Sequence, residues 1–144
     1  MAIYTYDATQ IMIIIGGFPI YGLADGTYLS IDRNEDAYSV VSGADGQVAR
    51  VKSNNPTATL TLTLMQTSES NQILSNFALL DQVSNGGTFP VLIKDIEGTT
   101  LIFSSKGWVQ RMPTTEFSKD ISNREWTIAL SDITYNIGGN TQEA

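Results

Sequence analysis

The sequence predicts a mainly β domain, a β-sandwich or barrel with one flanking α-helix at about residues 69–82. Three observations lead there. Apolar residues alternate with period two in many short runs, turn-forming residues separate those runs, and one segment has the period of a helix. The length of 144 residues suits a single domain spanning 1–144. A chain of that size should bury about 68–70% of its unfolded surface, enough for a core without staples.

The first apolar stretch lies between Asp7 and Asp25. Its 17 residues reach the lower limit of a membrane span, but Gly16, Gly17, Pro19 and Gly22 interrupt it, so it reads as buried strand (Ile11–Ile15) and turn. Further strands are expected at Thr27–Ile31, Tyr38–Val41 and Gln47–Val51. The segment from Arg33 to Pro56 reads as a hairpin projecting from the body, because its strands carry few large apolar residues. Thr57–Leu64 alternates most cleanly: Ala58, Leu60, Leu62 and Leu64 form an apolar wall, and Thr57, Thr59, Thr61 and Thr63 a neutral hydroxyl wall opposite. Ser68 is a plausible N-cap for the helix, and Ile73, Leu74, Phe77 and Leu80 share one narrow stripe. Leu79 falls on its polar back, either as a lone exposed leucine or as a contact for a docking partner.

Strands at Pro90–Lys94, Thr99–Ser104, Gly107–Met112 and Arg124–Ile137 complete the pattern, with Pro113–Asn123 a polar loop. Asp25-Gly26, Asp45-Gly46, Glu97-Gly98 and Asn85-Gly86-Gly87 supply turn residues that tolerate positive φ. In the last strand Trp126, Ile128 and Leu130 share a face, whereas Ile133, Tyr135 and Ile137 take the other. The phase slips around Ser131–Asp132, which predicts a bulge or bend there.

Composition removes whole classes of chemistry. The chain has no Cys and no His, so thiol nucleophiles, imidazole bases, disulfides and most zinc or copper sites are excluded. Eight basic against 15 acidic residues give a net charge of −7, which argues against nucleic-acid binding. Only 16% of residues are charged, and 16 Thr with 13 Ser fill the polar quota. The first basic residue is Arg33, so the start of a secretory signal is missing and synthesis in a cytoplasm is expected.

No catalytic constellation stands out. Asp25-Gly26-Thr27 is a single, misordered aspartic-protease triplet. Asp32-x-Asn34-x-Asp36 begins like a calcium loop, but Ala37 and Gly43 replace the required Gly and Glu. Glu97 and Glu125 could be nominated as a glycosidase pair, with nothing to fix their separation. Trp108, Trp126 and the six Tyr could stack on sugars, although such aromatics at strand spacing are more often core or interface anchors. Gly16-Gly17 lacks the Lys or helix start of a phosphate loop. The expectation is no enzyme, no cofactor, no metal and no small-molecule ligand.

The order of motifs is more informative than any one of them. Phe18-Pro-Ile-Tyr-Gly-Leu-Ala-Asp-Gly-Thr-Tyr28 leads into Ile31-Asp-Arg-Asn-Glu-Asp-Ala-Tyr38. Gly43-Ala-Asp-Gly-Gln-Val-Ala-Arg50 and Asn54-Asn-Pro-Thr follow. Then come Leu60-Thr-Leu-Thr-Leu-Met-Gln-Thr-Ser68, the Ser70-Asn71 helix start, Ile93-Lys-Asp95 and Arg124-Glu-Trp-Thr127. From about Gly16 to Asp132 this ensemble resembles the tail tube proteins of contractile-tailed bacteriophages, which are similar in fold to tube proteins of type VI secretion and contractile bacteriocins.

The resemblance implies a structural virion protein of the tail. Six copies would form a ring whose sheets join edge to edge into a β-barrel, and rings would stack into a hollow tube inside a contractile sheath. DNA would pass through at genome ejection without specific binding. Sheath, baseplate or tube initiator, tail terminator and tape-measure proteins would be the partners besides further copies of the chain. The hairpin at about 36–55 is the candidate inter-ring element, with Asp36, Tyr38, Asp45 and Arg50 as contacts. Thr57, Thr59, Thr61 and Thr63 are the candidate lumen face, though an ordinary half-exposed strand fits them as well. A bacteriocin or type VI-like injection tube is the alternative, and a monomeric carbohydrate-binding sandwich is the weaker rival.

Overall fold

A computed structural model describes residues 2–140 and 142–143 of the chain. Short strand β1 (Ile3–Tyr4) is followed by a 3-10 turn at Ala8–Gln10, β2 (Ile11–Ile15), β3 (Phe18–Pro19) and β4 (Leu29–Arg33). The hairpin strands β5 (Tyr38–Ser42) and β6 (Val48–Lys52) come next, then β7 (Ala58–Met65) and helix α1 (Ser70–Ser84). After the helix run β8 (Phe89–Asp95), β9 (Leu101–Arg111), β10 (Asn123–Leu130), β11 (Thr134–Asn136) and β12 (Gln142–Glu143).

One antiparallel sheet of eight strands forms the body in the order β3-β2-β8-β9-β10-β7-β4, with β11 also on β9. Alternation on β7 dictates how it curls. Ala58, Leu60, Leu62 and Leu64 are fully buried, lie beside Trp126, Ile128 and Leu130 of the neighbouring strand β10, and share one core with Ile13, Ile15, Phe89, Val91 and Ile93. The segment after β3 crosses from one side of the core to the other. Ile20 donates its N–H to Ile13 at 2.9 Å, and Ala24 donates to Thr63 at 3.1 Å. β7 is thereby bonded along both edges, to β10 on one side and to β4 and this crossing on the other.

The helix closes one flank. Leu74 is completely buried, with Ser70 and Ala78 one turn on either side, and Phe77 packs 4.8 Å from the Phe89 ring. The N-cap position falls on Glu69 and not on the expected Ser68, which lies one residue earlier and accepts from the N–H of Ser70 at 3.2 Å; Asn85 ends the helix with φ 57. Trp126 donates its indole N–H to Asn71 at 2.8 Å, which ties the first turn of the helix to β10.

Several boundaries differ from the sequence reading. The strands expected at 99–104 and 107–112 are one long strand, β9, because Gly107 continues it with its Cα against Leu130. The helix stripe turns inward at Ser70, Leu74 and Ala78, leaving Leu80 48% exposed rather than in the core. The phase slip at Ser131–Asp132 is a real break: β10 stops at Leu130 and β11 resumes at Thr134 on the same neighbour, β9. The Asp132 carboxylate holds it, accepting from the Ser105 N–H at 3.1 Å and from the hydroxyls of Ser105, Ser131 and Ser104. These bonds, Ser105 foremost, keep its pKa below the usual aspartate value.

Candidate functional site

The acidic residues nominated for chemistry do not converge. Glu97 lies in the turn between β8 and β9, whereas Glu125 sits at the other end of β9 beside Thr63. The length of an 11-residue strand separates them, against the roughly 5–9.5 Å a glycosidase requires. Asp25 accepts from the Gly26 N–H within a turn, and Asn34 of the calcium-like run is bonded to Thr57 and Thr59. Trp126 is buried in the core and Trp108 is half-buried beside Ala129. They form no shared platform.

The surfaces are more informative. On the face of β7 away from the core, Thr57, Thr59, Thr61 and Thr63 are half-buried and flanked by strands of matching polarity. Registry sets Ser30, Thr61, Thr127 and Arg111 in one row and Asp32, Thr59, Ala129 and Trp108 in the next, with Glu125 opposite Thr63. The result is a broad hydroxyl-rich face with Asp32 and Glu125 at its margins. Two of the four threonines also have internal duties. Thr57 donates its hydroxyl to Asn55 at 2.6 Å and accepts from Asn34 at 2.8 Å, while Thr59 donates to Asn34 at 2.8 Å.

Those asparagines form the root of the hairpin. Among the described residues β5 and β6 pair only with each other, from Tyr38↔Lys52 to Ser42↔Val48, and all ten of their residues are exposed. Val40 is 72% and Val48 66% exposed. At the tip, Asp45 accepts from the Gln47 N–H at 3.1 Å and Gly46 takes φ 85. Arg50 lies 4.5 Å over the Tyr38 ring. At the base, Ser53 donates to Glu35 at 2.7 Å and its N–H reaches the Ala37 carbonyl at 2.8 Å. Bonds from Ser53 and Asn55 hold the Glu35 carboxyl below its usual value. Asp36 is exposed in the same region.

On the helix, Leu79 is not alone. Leu79, Leu80 and Val83 are 54%, 48% and 85% exposed, an apolar patch near the helix C-terminus. Among the described residues no helix is long and apolar enough to cross a membrane.

A broad hydroxyl-rich sheet face and a projecting arm, with no catalytic cluster converging among the described residues, suit a scaffold. The family model described as the bacteriophage PhiTE tail tube protein matches residues 1–138. The chain belongs to that phage tail tube family. Structural protein ORF10 of Pseudomonas phage KPP10 is 33% identical to the tube protein over 144 residues, covering 94% of this chain and 83% of that one. Among solved structures, a chain of an extracellular contractile injection system, the PVC sheath-tube complex in its extended state, superposes with a TM-score of 0.61 at 14% identity, over 92% of each chain. A chain of the native gene transfer agent virion gives 0.59 at 9% identity, over 92% of this chain and 100% of that one. The anti-feeding prophage cap gives 0.57 at 12%, over 92% and 91%. These likenesses extend the fold beyond phages.

The tube protein is thus a structural component of the phage tail and not an enzyme. Sequence reasoning missed one feature of its surface, the way the loop at residues 112–122 is held. Arg124 shares the phase of Trp126, Ile128 and Leu130, so a guanidinium occupies a core position of the pattern. That mismatch was the available signal.

Proposed function

We propose that the tube protein polymerises as stacked hexameric rings into the hollow tail tube, inside a contractile sheath, through which the genome is ejected. The match to the tail tube family over residues 1–138 carries this reading. Physical arguments support it. Among the described residues β4 presents one bonded edge to β7 and a second edge with no strand partner in the sheet order, a hazard for a monomer and a joint for a ring. Head-to-tail lateral contacts satisfy every such edge when the rotation closes.

In this reading Thr57, Thr59, Thr61 and Thr63, with Ser30 and Asp32 beside them on β4, line the lumen and offer DNA few cations to hold. The hairpin is the inter-ring arm, with Tyr38 and Arg50 on its strands, Asp45 at its tip and Asp36 at its root. The Leu79 patch on α1 faces outward to the sheath, and terminator, initiator and tape-measure proteins meet the tube at its ends or inside it. A tube of an injection machine is the second reading, favoured by the likeness to the PVC sheath-tube chain. The 33% identity to a phage structural protein makes the virion the first choice.

Negative-stain microscopy of the concentrated full-length protein tests the proposal. Six-fold rings or hollow filaments are expected. Isolated globules at every concentration would overturn it.

A further inference from the structure

β7 runs along the body from the hairpin to the loop between β9 and β10. The chain leaves for the hairpin beside Ala58, which pairs with Arg33, and β10 begins opposite Met65. Seven strand steps of ~3.3 Å put about 23 Å between these two poles. Both poles expose large apolar side chains. Val40 and Val48 stand on the hairpin, and Phe117 and Ile121, 81% and 62% exposed, stand on loop 112–122.

The loop is held in place, so this exposure is a presented surface. Gln66 accepts from the Ser122 N–H at 3.1 Å and donates its own N–H to the Ser122 carbonyl at 3.1 Å. Arg124, only 8% exposed, donates to the Ser122 hydroxyl at 2.9 Å and to the Glu116 carbonyl at 3.2 Å. Its guanidinium also lies 5.5 Å from the Phe117 ring. A buried cation is costly unless its donors are satisfied, and here loop groups satisfy them. Beside the loop is a cleft of about 330 Å³ walled by Glu116, Glu125, Ser122 and Thr127, with Arg111 at one side.

The hairpin has the complementary character. The pairs Tyr38↔Lys52, Val40↔Arg50 and Ser42↔Val48 set Arg50 and Lys52 on the same face as Val40 and Val48. A basic, apolar strand face therefore stands at one pole, and at the other a cleft lined by two glutamates and one arginine, with apolar neighbours.

The geometry points to loop 112–122 and its Glu116–Glu125 cleft as the receptor for the hairpin of a second copy of this chain. This assignment rests on the reading of the hairpin as the inter-ring arm and names the surface that receives it. Two different patches at opposite poles make a heterologous contact, which repeats without limit along an axis. A hairpin docking on another hairpin would stop at a pair.

The absence of cysteine makes the test clean, because any disulfide must come from introduced residues. In assembled full-length protein carrying both Val48→Cys and Phe117→Cys, oxidation should give a ladder of cross-linked multimers on a non-reducing gel. The separation of the poles forbids the bond within one chain. Arg50→Glu and Glu125→Arg should each lower sedimentable polymer about tenfold by setting like charges together, and the double variant should recover most of it. Unchanged thermal unfolding of each variant controls for the fold. Filaments that form normally yet give only Val48–Val48 dimers, or charge reversals that show no mutual rescue, overturn the receptor assignment and leave the tube itself standing. Wild-type protein that never assembles removes the tube reading and this one together.

Discussion

Asp132 shows how much one side chain fixes in this molecule. Its carboxylate is the acceptor for a backbone N–H and three serine hydroxyls at the point where β10 ends and β11 begins. Asp132→Ala removes those bonds, and since Ser105 is exposed and the Ser104 and Ser131 hydroxyls also reach the Lys106 carbonyl, the expected cost is about 0.5–1.5 kcal/mol, measured by denaturant unfolding. Because its pKa is depressed in the fold, the carboxylate contributes stability above its ordinary value of 3.8, and that contribution is lost as pH falls through the lower folded value. The wild type should therefore lose stability below about pH 4 more steeply than the alanine variant. Gly16 makes a steric demand instead. Its φ is +61, and an added Cβ would sit 2.5 Å from the Phe77 ring, between the helix and β8. Gly16→Ala should lower stability by about 1–3 kcal/mol through strain and overpacking, read as a drop in Tm.

At the level of elements, legibility followed periodicity. β7, β10 and the helix announced themselves because one face of each is buried, so selection for core packing leaves a regular pattern. The break at Ser131–Asp132 was legible for the same reason: a strand that changes phase must change its partner face. β1 and β3 were not legible, being two-residue strands defined by their neighbours rather than by their own alternation. Leu80 was misread because helix stripes specify a direction only to within about a turn, and the presence of small Ala78 and Ser70 against the sheet decided which way α1 faced. The hairpin announced itself through its turn residues, but its root is a set of polar bonds that no spacing reveals. Asn34 joins Thr57 to Thr59 and so couples the hairpin base to β7. Asn34→Ala should cost about 0.5–1.5 kcal/mol of stability for its hydrogen bonds. It should reduce filament yield by more than that loss of folded protein explains, which sedimentation against a Tm-matched core variant would reveal. Equal yields in the two variants would deny the root any part in assembly.

The whole molecule divides its apolar surface between two tasks. Leucines, isoleucines and Trp126 inside the curled sheet supply most of the stability of the single chain, while Val40, Val48, Phe117 and the Leu79 patch lie outside its core. Replacing residues 38–52 by a short Gly-rich turn tests that division directly. Since all ten strand residues of the hairpin are exposed, the removal exposes no buried core surface and the body should unfold within a few degrees of the wild type. Leu62→Ala, by contrast, opens a cavity at a fully buried position and should cost about 2–5 kcal/mol. The two variants should then fail in opposite ways. The hairpin deletion should remain a stable particle that forms rings from its sheet edges but does not stack them. Leu62→Ala should assemble into normal filaments at temperatures where it is still folded. Light scattering during assembly, followed by microscopy of the products, separates these outcomes. Full-length filaments from the hairpin deletion would mean that stacking runs through the body of the subunit and that the exposed valines serve another partner.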